Sequence, residues 1–273
     1  MKNKTANSIR PLVESALFIA LATVLSLIKL VDLPYGGSVT IACMLPMVLL
    51  SYRWGIKWGL GAGLVFGVLQ QLLGLNTLSW VTTWQSILAV ILLDYVIAYA
   101  FTGLGGIFRK TIKNQATALA LGATLVCLLR YICHVISGAT VWAGISIPTA
   151  AATVYSLIYN ATYMLPETLI TVIVACYLGS TVDFSKERPT RIAPDSVSTG
   201  KTVLSAIAGL ICAGVLVFDV AAIFSKLQNA ETGEFAIAQI SQVNWIAVLC
   251  VTVIGALVAG ALFAVRAASK STK

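Results

Sequence analysis

Apolar runs recur along the whole chain, near 14 to 31, 39 to 52, 58 to 75, 82 to 107, 116 to 136, 149 to 180, 202 to 225 and 243 to 265. Nothing else constrains the fold as strongly. In hydrocarbon the backbone must satisfy its own hydrogen bonds, and a helix needs roughly 20 apolar residues to cross about 30 Å. The runs therefore predict an all-α polytopic membrane protein of eight spans. The second run is short for a full crossing and is expected to be tilted or partly re-entrant. With 59% hydrophobic and 10% charged residues in 273, spans and short loops account for the chain and leave no room for a soluble enzyme domain.

The 18 Lys and Arg against 10 Asp and Glu give a net charge of +8. Cytoplasmic loops of membrane proteins accumulate Lys and Arg, so orientation explains this excess without nucleic acid. If the N-terminus is cytoplasmic, every basic residue except Lys29, Arg130 and Lys226 falls on an inner segment, while the outer loops carry Asp32, Glu231 and Glu234. The pattern predicts a cell-membrane protein, in contact with lipid, with both termini cytoplasmic. The first apolar run, Ala16 to Leu30, is long for a signal sequence and lacks a small-residue cleavage site, so it reads as a transmembrane helix. The six cysteines stand singly in apolar stretches without metal-ligand spacing, which predicts small buried side chains and neither metal nor cofactor.

The polar stretch VDFSKERPTRIAPDSVSTGK, residues 182–201, predicts a cytoplasmic linker between a six-helix body, 1–181, and a two-helix membrane extension, 202–273. Its STGKT ending is no phosphate-binding loop, since Asp195 stands where the first glycine is required and no strand precedes it. In RWGIKWGLGAGLVFG, Gly55, Gly59, Gly63 and Gly67 recur every four residues on one helix face, the pattern of close helix packing in lipid.

Ionisable side chains inside spans cost about 2.5 to 3.5 kcal/mol by insertion scales, so each needs a partner or a task. The sequence offers Asp94, Arg130, His134, Glu167 and Asp219. Depth, counted at about 1.5 Å per residue, brings Asp94, Arg130, His134, Tyr155 and Asn160 to a similar level in the outer half, beneath a loop carrying Trp142. A buried Asp94 to Arg130 pair would explain two of them. A pocket open to the exterior explains all: a carboxylate to balance a cation, aromatics to stack on a ring, and imidazole and amide groups to orient ring nitrogens. Glu167, after Pro166, reads as a structural group that caps backbone freed by a kink or faces a partner. Asp219 has no evident role, and Trp80 and Trp84 read as interface anchors.

The stretches GGSVTIACMLPMVLLSYRWG, GLVFGVLQQLLG, LLDYVIAYAFTGLGGIFRK, RYICHVISGATVWAG and VYSLIYNATYMLPE, in this order, resemble the thiamine-specific substrate-binding (S) components of energy-coupling factor (ECF) transporters, the ThiT or YuaJ family. The resemblance covers residues 14 to about 180. It implies a six-helix S-component bundle, without enzymatic activity of its own, that binds thiamine near the outer face and works with a T component and two ATPase subunits. Asp94 and Tyr95 match the family's Glu-Tyr pair, His134 and Trp142 its histidine and loop tryptophan, and Tyr155 and Asn160 its tyrosine and asparagine. Ala16 and Ala20, with Ala22 close by, match the small residues of the first helix on which the T component docks. Some members cover the ligand with a loop tryptophan where this chain has DLPYGGS, so that either Tyr35 substitutes or no such lid exists. The two additional C-terminal transmembrane helices exceed the usual six.

Thiamine uptake as an S component is thus the expected function. The alternative is a stand-alone, proton-coupled secondary thiamine transporter using Asp94 or His134. An intramembrane enzyme would need catalytic groups at close spacing, which one histidine and isolated carboxylates do not supply.

Overall fold

The computed structural model describes residues 4–33, 36–145, 149, 152–192, 199–227 and 237–268. They form nine α-helices and two short hairpins: α1 (Lys4–Leu27), β1 (Lys29–Asp32), β2 (Ser38–Thr40), α2 (Leu45–Trp54), α3 (Ile56–Leu73), α4 (Trp84–Val90), α5 (Ile97–Ala100), α6 (Gln115–Thr140), α7 (Ala152–Thr181), β3 (Val182–Asp183), β4 (Thr190–Arg191), α8 (Thr199–Leu227) and α9 (Trp245–Ala268). A π-helical turn, Ile91–Val96, joins α4 to α5, and a 3-10 segment, Phe101–Lys110, extends α5, so that Trp84–Lys110 is one continuous span. Among the described residues seven helices are long and apolar enough to cross a membrane. The protein is a multi-pass, nearly all-helical membrane protein.

The second apolar run departs from a simple span. It begins as β2, turns at Ala42 in the left-handed region (φ 53°), and becomes helical only at Leu45, with Pro46 in the first turn. Ten helical residues rise about 15 Å, too little to cross alone. Non-helical backbone is tolerated at membrane depth only where protein buries it, and α2 is buried through nine of its residues, Leu45 to Arg53. Met44, Met47, Val48 and Leu50 are fully enclosed, in cores shared with α1, α3, α6 and α7.

Glycine sets the distance between α3 and the fourth span. A methyl group on Gly103 would lie 2.2 Å from the Gly59 backbone; one on Gly63 or Gly67 would meet the Tyr99 or Tyr95 carbonyl at 2.7 or 2.9 Å. The stripe read from the sequence is thus a contact face from Gly59 to Gly67. Gly55 instead forms the turn between α2 and α3, with φ 91° and open space around it. The Ser51 hydroxyl fastens α2 to the same span, donating to the Gly103 carbonyl and accepting from Gly106 N–H at 3.0 Å.

Contacts divide the chain into two compact units, Met1–Ile192 and Ala193–Lys273. Residues 182–192, read from sequence as linker, carry the β3–β4 pair, with Phe184 buried in the core of the first unit. In the second unit α8 and α9 form a helical hairpin in which Gly255 sits against Val215, and Thr252 donates to Asp219 at 2.7 Å.

The first unit has two distinct ends. At one, Arg53 donates to both oxygens of Glu14 (2.7 and 2.9 Å) and to the carbonyls of Phe184, Lys186 and Glu187. Trp54 adds a bond to Glu14 at 2.8 Å, and Arg10 reaches Glu187. Arg109 donates to the Arg53 carbonyl, and Gln115 ties α6 to the end of α7. At the other end stand the β1–β2 hairpin, the 3-10 turn Leu75–Trp80 and the end of α6, around a cavity.

Candidate binding site

Asp94 sits on the π-helical turn, where Ile97 N–H reaches back five residues to the Leu92 carbonyl. Wider turns of this kind re-aim the side chains they carry and concentrate at functional sites. Here the turn directs Asp94 at α6. Its Oδ1 accepts from His134 Nδ1 at 2.8 Å, and its Oδ2 from the Ser137 hydroxyl at 2.6 Å and the Trp142 indole N–H at 3.1 Å. His134 and Ser137 are one helical turn apart on α6, so both face the carboxylate. With Nδ1 donating, a neutral imidazole presents Nε2 as an acceptor. That nitrogen is buried and lacks a protein partner among the described residues.

The cavity beside this cluster has a volume of about 500 Å³, within the usual range for small-molecule sites. Of the six side chains singled out in the sequence, Asp94, Tyr95, His134, Trp142 and Asn160 line it. Tyr155 does not; it lies against the Val81, Val90 and Trp142 cluster, behind the wall. The Asn160 amide is engaged by the protein, donating to the Ser156 carbonyl at 2.8 Å and the His134 carbonyl at 3.3 Å while accepting from the Tyr163 hydroxyl at 2.5 Å. Tyr95 shares a hydrogen bond of 3.1 Å with Thr77.

The Asp94 to Arg130 pair, the alternative to a pocket in the sequence, is not formed. Arg130 lies across the Tyr99 ring, 4.2 Å from its centre, and donates to the Tyr99 hydroxyl at 2.7 Å, with Met44 Sδ at 3.2 Å. Sequence depth gave the two residues a similar level but not a shared bearing around the bundle. Among the described residues Asp94 has no Lys or Arg partner, and three uncharged or titratable donors surround it. Arg130 nevertheless lines the cavity, as does Glu167.

Glu167 has the structural use expected of it, in a different place. Its carboxylate accepts from Thr40 N–H at 2.6 Å and the Thr40 hydroxyl at 2.8 Å, holding the non-helical start of the second crossing. The sequence gave no sign of Tyr99 or Thr77 as cavity residues, nor of Ser137 as a partner of Asp94. Helical spacing could have flagged Ser137, three positions after His134. Trp80 stands at the rim and Trp84 is 70% exposed. Lys29 pairs with Asp32 at 2.9 Å near the opening. Tyr35 lies outside the described residues. Ala16 and Ala20 are exposed on α1, whereas Ala22 is fully buried against α2 and α3.

A family model described as thiamine transporter protein (Thia_YuaJ) matches residues 12–185. The chain belongs to the thiamine transporter family. Within that family a thiamine transporter ThiT from Bacillus subtilis is 36% identical over 181 residues, 62% of this chain and 90% of the relative. A second ThiT, from Lacticaseibacillus paracasei, is 27% identical over 179 residues, 60% of this chain and 83% of the relative. The solved structure of ThiT from Listeria monocytogenes matches with a TM-score of 0.53 at 25% identity, covering 66% of this chain and 96% of that one. The thiamine transporter family is one of transporters and not of enzymes. Its model ends at residue 185, so α8 and α9 lie beyond the matched region.

Proposed function

We propose that the chain captures thiamine in this cavity and delivers it inward as the S component of an ECF transporter. The observation that carries the reading is the Asp94 carboxylate, held at the cavity wall without a Lys or Arg partner. In a low-dielectric site such a charge favours a permanent cation, which thiamine supplies in its thiazolium ring. The free Nε2 of His134 suits the amino group of the aminopyrimidine, and Trp142, Tyr95 and Tyr159 supply flat walls for the rings. Counting formal charges, Asp32, Asp94 and Glu167 stand against Lys29 and Arg130, an excess of one negative charge that matches one cation.

The orientation belongs to the same proposal. The end bearing Arg53, Lys57, Arg109, Lys110 and Lys113 faces the cytoplasm by the positive-inside rule, which turns the cavity outward. Both termini are then cytoplasmic. Ala16 and Ala20 lie on the exposed side of α1 with Leu17 and Leu21, open to a T component.

Tryptophan fluorescence tests the site directly. Submicromolar quenching by thiamine, lost in Asp94→Asn, is the expected result; no response to thiamine, or an equal response to riboflavin or biotin, refutes it. Proton-coupled uptake by the chain alone is the competing mechanism, since Asp94 and His134 form a pair that could carry a proton.

A further inference from the structure

Gln71 is 7% exposed, and neither its amide nitrogen nor its amide oxygen has a hydrogen-bond partner among the described residues. A buried amide in a membrane span opposes folding unless something engages it. Its place on α3 says what does. Gly59, Gly63 and Gly67 are spaced by four and meet, in turn, the backbone at Gly103, Tyr99 and Tyr95. Each four-residue step along α3 is answered by a four-residue step back along the fourth span. Gln71 is the next step, and the same register carried on by four residues leads to Ile91, the first of the π-helical turn. Gly74, three residues on, meets the Tyr95 hydroxyl, so this face of α3 still borders the turn.

Backbone bonding is irregular just there. Ile91 N–H is shared between the Ile87 and Leu88 carbonyls, while Ile97 N–H bonds five residues back. A widened turn of this kind leaves backbone groups short of regular partners and can shift the side chains it carries.

We propose that Gln71 is a positioning residue for the cation site: its amide engages the backbone of the Ile91–Val96 turn as ligand closes on Asp94, fixing the height and bearing of that carboxylate. The inference rests on the thiamine reading and adds to it a residue that does not touch the ligand. A ridge of three glycines that only had to pack would be continued by another small or apolar side chain. An amide there makes sense where a backbone needs a partner in one state of the site and not in the other.

The test uses the full chain in detergent, with thiamine affinity read by tryptophan fluorescence, thermal midpoint read without ligand, and amide exchange followed over residues 91–97. Gln71→Met is expected to fold with a midpoint at or above the parent's, because an unpaired amide is removed. It is also expected to bind thiamine about tenfold more weakly, the worth of one buried hydrogen bond. Thiamine should slow exchange across the turn in the parent and not in this variant. Gln71→Asn, which keeps the amide donor and acceptor on a stem one carbon shorter, should stay within about threefold of the parent. Equal affinity and equal protection in parent and Gln71→Met overturn the inference, as does a loss in Gln71→Asn as large as in Gln71→Met. A parent that binds no thiamine overturns the functional reading beneath it, so the two failures are told apart.

Discussion

Asp94 and its three donors make the sharpest case for reading function from single side chains. Replacing the carboxylate by the neutral isostere in Asp94→Asn removes the charge but keeps the volume. Loss of a charge-assisted contact is worth about 1.5–3 kcal/mol, so thiamine affinity should fall by roughly 10- to 100-fold in a fluorescence titration. Ser137→Ala removes one neutral donor at 2.6 Å and should cost about 1 kcal/mol, roughly fivefold in affinity, with the fold unchanged by circular dichroism. An Asp94→Asn protein that binds like the parent would mean that the cation is balanced elsewhere in the cavity. The sequence made Asp94 and His134 legible because charged and imidazole groups in apolar runs are conspicuous. Ser137 was not, because a serine inside a span is ordinary until a carboxylate is known to face it. The place of Arg130 was hidden for a related reason: counting residues gives depth, and Tyr99 claims the guanidinium from a bearing that counting does not give.

At the level of elements, the long helices were legible because hydropathy measures burial over whole turns, and the glycine period was legible because four residues return to one face. The run 39–52 was not. Apolar composition says that a segment is enclosed but does not distinguish strand, turn and helix, and here all three occur within it. What makes that arrangement possible is Glu167, reaching across from α7 to the Thr40 N–H and hydroxyl. Glu167→Gln keeps one acceptor and brings a surplus donor into a site built from donors. Breaking a bond to a charged group should lower stability by about 1.5–3 kcal/mol, seen as a lower thermal midpoint. Glycine at the seams gives a paired prediction. Gly103→Ala places a methyl 2.2 Å from the Gly59 backbone and must part the helices, whereas Gly61→Ala meets nothing within 4 Å. The first should lose folded protein in size-exclusion chromatography. The second should be neutral, or stabilising by up to about 1 kcal/mol from helix propensity.

At the scale of the whole molecule, every described residue that lines the cavity belongs to the first unit. Asp94, His134, Trp142, Asn160 and the other cavity residues all precede Ile192, and the family match ends at residue 185. Binding and transport can therefore be separated. A chain ended after residue 192 should bind thiamine within about twofold of the full chain. The transport arm then distinguishes the two mechanisms, because an S component with its site in the first unit still needs an outside source of energy. In vesicles, uptake by the full chain should require the T component, the ATPases and ATP, and a proton gradient alone should drive none. Uptake driven by the gradient without partners would sink the S-component proposal and move attention to the Asp94–His134 pair. Uptake that needs partners in the full chain but fails in the shortened chain, with binding intact, would assign α8 and α9 to coupling, where the Asp219–Thr252 contact is the first feature to alter.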